Sequence, residues 1–329
     1  MVALAVLASC SNAGDDATTI APSTANPTDA PTTQPPTTAG TQTRVGDHDA
    51  VLIPLNAPDW LVVDESHIYV KLDSGFVEQL DPTGAVVGSA EISGVGGMSG
   101  TGCPGIGVGF DSVWTCNGAD VMRFSLDSFA EVSAIAAQKT ASQGHLAVGF
   151  GKVWVLQRDG SALAGIDPET EAVGESISLP VRGSDLAVGD DGVWIVSALD
   201  NAVIVIDPTN GTVLHRFDDV QSPSSLSILG ADVWIGGSSA VHRIDQATAA
   251  IVSTFEGGIG RTGVVAADET GVWVRREAEV THLDGATGAI TDSFTLDLGG
   301  SSPGDMVVAF GSLWISASND RTLFRIALD

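Results

Sequence analysis

The chain has 329 residues, of which 14 are Lys or Arg and 41 are Asp or Glu, for a formal charge of −27. That surplus of carboxylates argues against nucleic acid as a partner, because phosphate binding needs clustered basic side chains. The 43% hydrophobic content is ample for a core, and no apolar run approaches the ~18 residues of a membrane-spanning helix.

Residues 1–10, MVALAVLASC, form an apolar stretch ending in Leu7-Ala8-Ser9-Cys10. Those four residues resemble the lipobox of bacterial lipoproteins, whose cysteine is acylated and becomes the mature N-terminus. The resemblance implies lipid on Cys10 and an extracytoplasmic protein anchored to a bacterial membrane. No Lys or Arg precedes the apolar stretch, as a secretory signal would normally have, so the natural start is expected upstream. Residues 11–45 hold ten Thr and five Pro and almost no large apolar side chain. Such a segment cannot bury enough surface to fold and is expected to be a disordered tether, reaching roughly 30 Å as a coil and about 100 Å as polyproline II.

From residue 46 to 329 one pattern recurs. Trp114, Trp154, Trp194, Trp234, Trp273 and Trp314 are spaced by 40, 40, 40, 39 and 41 residues, and Tyr69 takes the same slot in a divergent first copy. A second column, Asp81, Asp127, Asp167, Asp207, Asp245 and Asp284, always follows Ile or Leu. Seven copies of four short strands, with no helical periodicity, predict an all-β, seven-bladed β-propeller. In the copy over 186–217 the strands are expected at 186–188, 193–196, 203–206 and 213–217. The middle two are continuously apolar, as in strands buried on both faces. The Trp column is expected to fill the space between blades. The Asp column suits tight turns of the Asp-Pro-x-Thr/Asn-Gly type, with a calcium-binding role as the alternative.

The last copy ends after its third strand, while a spare strand-like segment, 50–55, precedes the first. The ring is therefore expected to close by pairing this segment into blade 7, which removes an exposed edge. The units resemble the seven-bladed, YVTN-type, quinoprotein-like propellers through a shared VW(V/I)…IDP.TG core. That resemblance implies the architecture and leaves activity open, since the group includes binding modules, lyases and dehydrogenases. Streptogramin lyases have similar repeats with an acidic residue shortly after the Trp; here Leu156-Gln157, Val196-Ser197 and Gly236-Gly237 stand there, which disfavours that activity.

Chemistry is sparse. Cys103 and Cys116 flank the first hairpin of blade 2 and would face each other across adjacent strands, giving a disulfide in an oxidising compartment or else two buried thiols. The six His show no ligand spacing, and no nucleophile motif or phosphate loop is present. Propellers bind ligands at the mouth of the central channel, so the loops leading into each first strand, and those joining the second and third strands, supply the candidates. These are Asp59, His145, Arg158, Arg182, Asp185, Asp200, Arg275 and Asp305. The expected role is a non-enzymatic, monomeric binding or protein-interaction module without a cofactor. It would take a small polar ligand, a cation or a peptide at one face, and touch the membrane through its lipid alone. The alternative is an exported propeller enzyme, a metal-dependent lactonase or lyase or a quinone-dependent oxidoreductase, acting at the same mouth.

Overall fold

A computed structural model describes residues 40–94, 105–118, 120–137, 145–257 and 263–328. Cys10, Cys103 and most of the expected tether lie outside the described residues. The described chain is a ring of seven antiparallel sheets. Blades 1 to 6 span 58–91, 106–136, 146–178, 185–217, 225–256 and 264–295, and blade 7 begins at 306–327. The innermost strand of each blade lies beside that of the next, and the blade 7 inner strand, Met306–Ala309, lies beside Pro58–Val63 of blade 1, closing the circle. Among the described residues only a 3-10 turn, Arg158–Gly160, is helical.

The burial of each strand follows from its place in a blade. The second and third strands of blade 4, Val193–Ser197 and Ala202–Ile206, are buried at every position, as continuous apolar runs between two neighbouring blades must be. Outer strands meet a neighbour on one face at most; Ala250–Glu256 of blade 5 alternates exposed and half-buried residues. In blade 4 the four expected strands form within a residue of their predicted limits. In blade 3 the outer strand shrinks to Ile177–Ser178.

Seven apolar clusters fill the seven gaps between blades, and each holds one column residue. Trp194, for example, is fully buried and packs with Leu226, Val233 and Ile235 of blade 5. The polar end of six of the seven rings is tied to the turn before it. The indole N–H of Trp114, Trp154 and Trp314 donates to the carbonyls of Gly109, Gly149 and Ala309 at 3.0–3.1 Å. Trp194 and Trp273 donate instead to the Asp191 and Asp268 carboxylates at 2.9 Å, and the Tyr69 hydroxyl to Asp64 at 2.7 Å. The column therefore welds neighbouring blades and also fixes its own hairpin.

The Asp column caps turns. In Asp81, Asp167, Asp207, Asp245 and Asp284 the Oδ1 atom accepts a backbone N–H and a Thr hydroxyl two or three residues on. These bonds favour the carboxylate and hold its pKa below the ordinary range. Asp127 departs from the rule, because Ser125 Oγ accepts the turn N–H there.

Closure uses the N-terminal segment, as expected. His48–Pro54 pairs antiparallel with Thr322–Ala327, placing Ala50 opposite Ile326 and Pro54 opposite Thr322. The sheet also reaches further back than the expected boundary at residue 46. Thr41–Val45 pairs with His48–Pro54 as a fifth strand, although four of its five side chains are exposed. Backbone pairing to a strand already held in place recruits these Thr-rich residues, whose composition alone reads as tether.

Candidate functional site

Counting back nine residues from each column residue gives Trp60, Gly105, His145, Asp185, Ser225, Val264 and Asp305. All seven stand at or near the start of an inner strand, so the ring symmetry gathers them around one end of the central channel. The channel holds a cavity of ≈ 300 Å³. Its mouth carries Trp60, His145, Asp185, Ser225 and Asp305, and its lining also includes Leu146, Leu186, Leu226 and Met306 with Ser224 and Ser227.

Gly105 is the gap in the ring. A Cβ there would stand 2.6 Å from the Leu146 backbone nitrogen, so blades 2 and 3 could not approach this closely with any side chain. Across that gap the Trp60 and His145 rings meet edge to face at 3.9 Å. His145 Nδ1 in turn bonds Asp185 Oδ1 at 2.7 Å. Burial works against the imidazolium, yet the charge and hydrogen bond of Asp185, with Asp305 and Asp59 nearby, hold the His145 pKa above its ordinary range.

The two mouth aspartates also bridge blades. Asp305 accepts the N–H of Met306 at 2.8 Å and that of Leu61, in blade 1, at 3.0 Å. Asp185 accepts the N–H of Leu186 at 2.7 Å and faces that of Leu226, in blade 5, at 3.4 Å. Burial nevertheless pushes the Asp305 carboxyl up to about 6, against the pull of His145.

Asp59 reaches the mouth through a bulge. The register between Pro58–Val63 and Ile68–Leu72 slips between Pro58 and Trp60, which leaves Asp59 half-buried at the rim. Burial, together with the like charges of Asp73 and Asp305, pushes its carboxyl up to about 7. Beside it Lys71 is almost fully buried and donates to the Cys116 carbonyl at 2.8 Å. Burial lowers the Lys71 pKa to about 7, although Asp59 and Asp73 oppose the fall.

Four of the eight expected mouth residues, Asp59, His145, Asp185 and Asp305, thus come together. Arg158, Arg182 and Asp200 do not. They are exposed on the loops of blades 3 and 4, where Arg182 pairs with Asp159 at 2.8 Å and Asp200 accepts the Arg182 N–H and the Ser197 hydroxyl. Arg275 is buried and holds a seam instead of a ligand. Its guanidinium donates to the carbonyls of Ser316 and Ser302 at 2.7 Å and of Glu277 at 2.9 Å, and burial lowers its pKa to about 10. Arg275 in blade 6 occupies the slot of Lys71 in blade 1, two residues after the column, and each reaches the carbonyl of that slot in the next blade. Trp60 and Lys71 were missing from the sequence-based candidates, although the nine-residue offset points to Trp60 directly.

Five of the six Asp column carboxylates are engaged by their own turns, and no three His, Cys, Asp or Glu among the described residues stand close enough to hold a metal ion. Cys116 is fully buried at the end of its strand, facing the Gly105 carbonyl at 3.9 Å.

No family model matches the chain, and no curated protein matches it in sequence. Many solved structures share the fold. The Neurospora crassa Pan2 WD40 domain is similar at 11% identity and a TM-score of 0.67, over 83% of this chain and 90% of that one. Kuenenia stuttgartiensis hydrazine synthase is similar at 14% identity and 0.67, over 84% and 97%. The computationally designed protein Ika8 is similar at 13% and 0.62, over 90% and 98%. At such identities the likeness establishes a β-propeller, a fold compatible with a binding or interaction module, and nothing about activity.

Proposed function

We propose that the chain is an extracytoplasmic binding module, tethered to a bacterial membrane through lipid on Cys10, that takes a small polar ligand or peptide at the mouth formed by Asp59, His145, Asp185 and Asp305. One observation carries the binding reading. Four ionisable side chains from blades 1, 3, 4 and 7 converge on one open end of a channel lined below by apolar side chains and serines. Buried charge is a poor source of stability, and apolar replacements of similar volume commonly serve a fold as well or better. Perturbed, half-buried carboxyls gathered at a cavity are the usual mark of a site.

The anchor rests on the Leu7-Ala8-Ser9-Cys10 motif and the Thr/Pro-rich stretch after it, and the YVTN-type resemblance rests on the repeated VW…IDP core. Binding is tested by a thermal-shift panel of sugars, amino acids, amines and short peptides, since a ligand that binds only the folded state raises its melting temperature. A ligand that stabilises the unaltered protein should lose its effect in Asp59→Asn and His145→Gln. Shifts that survive both substitutions would remove the mouth from the argument. Cys10→Ala should move the protein from the membrane to the soluble fraction; unchanged membrane association would end the lipid reading.

A further inference from the structure

We infer that Thr291 is an activated nucleophile, its hydroxyl hydrogen held by His282 and His282 oriented by Asp268. It takes the acyl group of small carboxylic esters in the groove between blades 6 and 7. This activity is separate from binding at the mouth and shares no residue with it.

In a ring of similar wedges, a departure from the repeat is the first sign of a local task. The third-strand residue paired with the column Trp is Arg123 in blade 2, Arg243 in blade 5 and Arg325 in blade 7. Each of these guanidinium groups lies over its Trp. Blades 1, 3 and 4 have Gln79, Gly165 and Val205 in that slot. Blade 6 alone places a general base there, His282, which is buried and tilted against Trp273 at 4.8 Å.

The outer strand departs as well. In five blades a β-bulge leaves one residue of that strand without a partner. In blades 1, 2, 4 and 5 it is Val87, Val132, Leu214 and Val252, all exposed. In blade 6 it is Thr291, also exposed. A bulge re-aims the side chain of its extra residue. Here it brings the Thr291 hydroxyl to 2.5 Å from His282 Nδ1.

The far side of the imidazole sets the direction of the proton. His282 Nε2 meets Asp268 Oδ2 at 3.0 Å. The Asp268 carboxylate also accepts the N–H groups of Thr270 and Gly271, the Thr270 hydroxyl and the Trp273 indole. Burial works against its charge, but the bonds from His282 and Thr270 hold its pKa well below the ordinary range. A carboxylate can only accept, so Nε2 carries the hydrogen of the neutral imidazole and Nδ1 offers a lone pair. The Thr291 hydroxyl donates to that lone pair. A hydroxyl on a base that a third group orients is the arrangement of an activated nucleophile.

The groove holds ≈ 410 Å³, with Trp273 and Leu328 as apolar walls beside Thr291 and His282. Thr291 Oγ bonds the ester carbonyl carbon while His282 Nδ1 takes the hydroxyl proton. The ester C–O bond then breaks with its electron pair on the departing oxygen, which recovers the proton as an alcohol. Water, deprotonated by the same Nδ1, cleaves the Thr291 ester to a carboxylic acid and restores the hydroxyl. Both steps need His282 without its second proton, so the rate rises with pH to a plateau. The other titratable groups lining the groove are His48, Asp284 and Asp292, and His48 pairs with Asp292 at 2.8 Å.

The test is p-nitrophenyl acetate with the full chain, followed by p-nitrophenolate release from pH 5 to 9 and by peptide mass spectrometry of the acetylated protein. Thr291→Val installs the side chain that blades 1, 2 and 5 carry in this slot, and melting curves check the fold of every variant. The expected result is acetyl on Thr291 that survives in Thr291→Ser and is absent in Thr291→Val. His282→Gln should slow acetylation about 100-fold or more. Asp268 is a positioning residue, so its readout is the His282 tautomer by ¹⁵N NMR: the hydrogen should move to Nδ1 in Asp268→Asn, and release should fall with it. Release no faster than in buffer, or acetyl groups confined to Lys side chains and the N-terminus, would overturn the inference. So would folded Thr291→Val or His282→Gln variants as fast as the unaltered chain, or an Asp268→Asn variant with tautomer and rate unchanged. None of these outcomes bears on the reading of the mouth.

Discussion

Cutting the chain at two places on either side of the closing strand separates what holds the ring from what merely lies on it. A chain beginning at Asp47 loses Thr41–Val45, of which Val45 alone is buried, and should lose no more than about 2–3 kcal/mol. A chain beginning at Asn56 also loses His48–Pro54 and Leu55. That removes Val51, Ile53 and Leu55, which are 8%, 1% and 4% exposed and pack against Leu323 and Trp314 of blade 7 and Leu61 and Val70 of blade 1. At roughly 1.5–3 kcal/mol for each buried side chain the loss is about 5–9 kcal/mol, comparable with the whole stability of a typical domain. It also bares the edge of Thr322–Ala327, an unpaired strand that invites association. Guanidinium unfolding followed by Trp fluorescence, with size-exclusion chromatography, gives the comparison. The chain from Asp47 should unfold close to the full-length midpoint, and the chain from Asn56 should unfold far earlier or aggregate. Equal midpoints would show that blade 7 holds without its N-terminal strand, and the closure argument would be wrong.

Three further outcomes follow from the same geometry. Trp194→Ala should cost roughly 3–5 kcal/mol, and Trp194→Phe less, about 1 kcal/mol beyond the lost packing, because Asp191 loses its indole donor; a neutral Trp194→Ala would refute the role of the column. Stability should fall as pH rises from about 4 to 7, because native Asp59 holds a proton until about 7 that the unfolded chain releases near 3.8. The stabilisation is complete below the unfolded value and lost through the folded one; it amounts to at most about 4 kcal/mol, less where solvent screens the mouth. Asp59→Asn should flatten that slope in urea melts repeated across pH, and an unchanged slope would place the titration elsewhere. Finally, we expect Cys103 and Cys116 to be bonded: a secreted variant lacking residues 1–39 should show no free thiol when denatured without reductant and two with it, whereas two without reductant would refute the pairing.

The mouth was half legible beforehand. Asp59, His145, Asp185 and Asp305 precede inner strands, and a repeat of constant length places such positions around one axis. Arg158, Arg182 and Asp200 are exposed on loops, where Arg182 pairs with Asp159 and Asp200 is held by the Arg182 backbone N–H and the Ser197 hydroxyl. Arg275 failed for another reason. A cation at the end of a second strand can turn to the mouth or into the seam between blades, and here each of the three guanidinium nitrogens donates to a backbone carbonyl in the seam. Trp60 reads locally as one more apolar strand residue; it becomes a wall of the site because the facing position in blade 2 is Gly105.

What the amino-acid order determined unaided was the repeat: strand, turn, Trp, strand, Asp, turn. Each is a local preference, of continuous apolar runs for buried strands and of Asp-led segments for turns, and seven repetitions at a near-constant period leave one architecture able to bury every Trp. The tertiary structure alone decided which charged groups meet, and that Thr41–Val45 pairs as a strand. Those outcomes depend on contacts between residues far apart in sequence, 257 apart for the Ser316 hydroxyl on the Asp59 carbonyl. Coulomb energy and desolvation act through space, so no local pattern records them until the ring is closed.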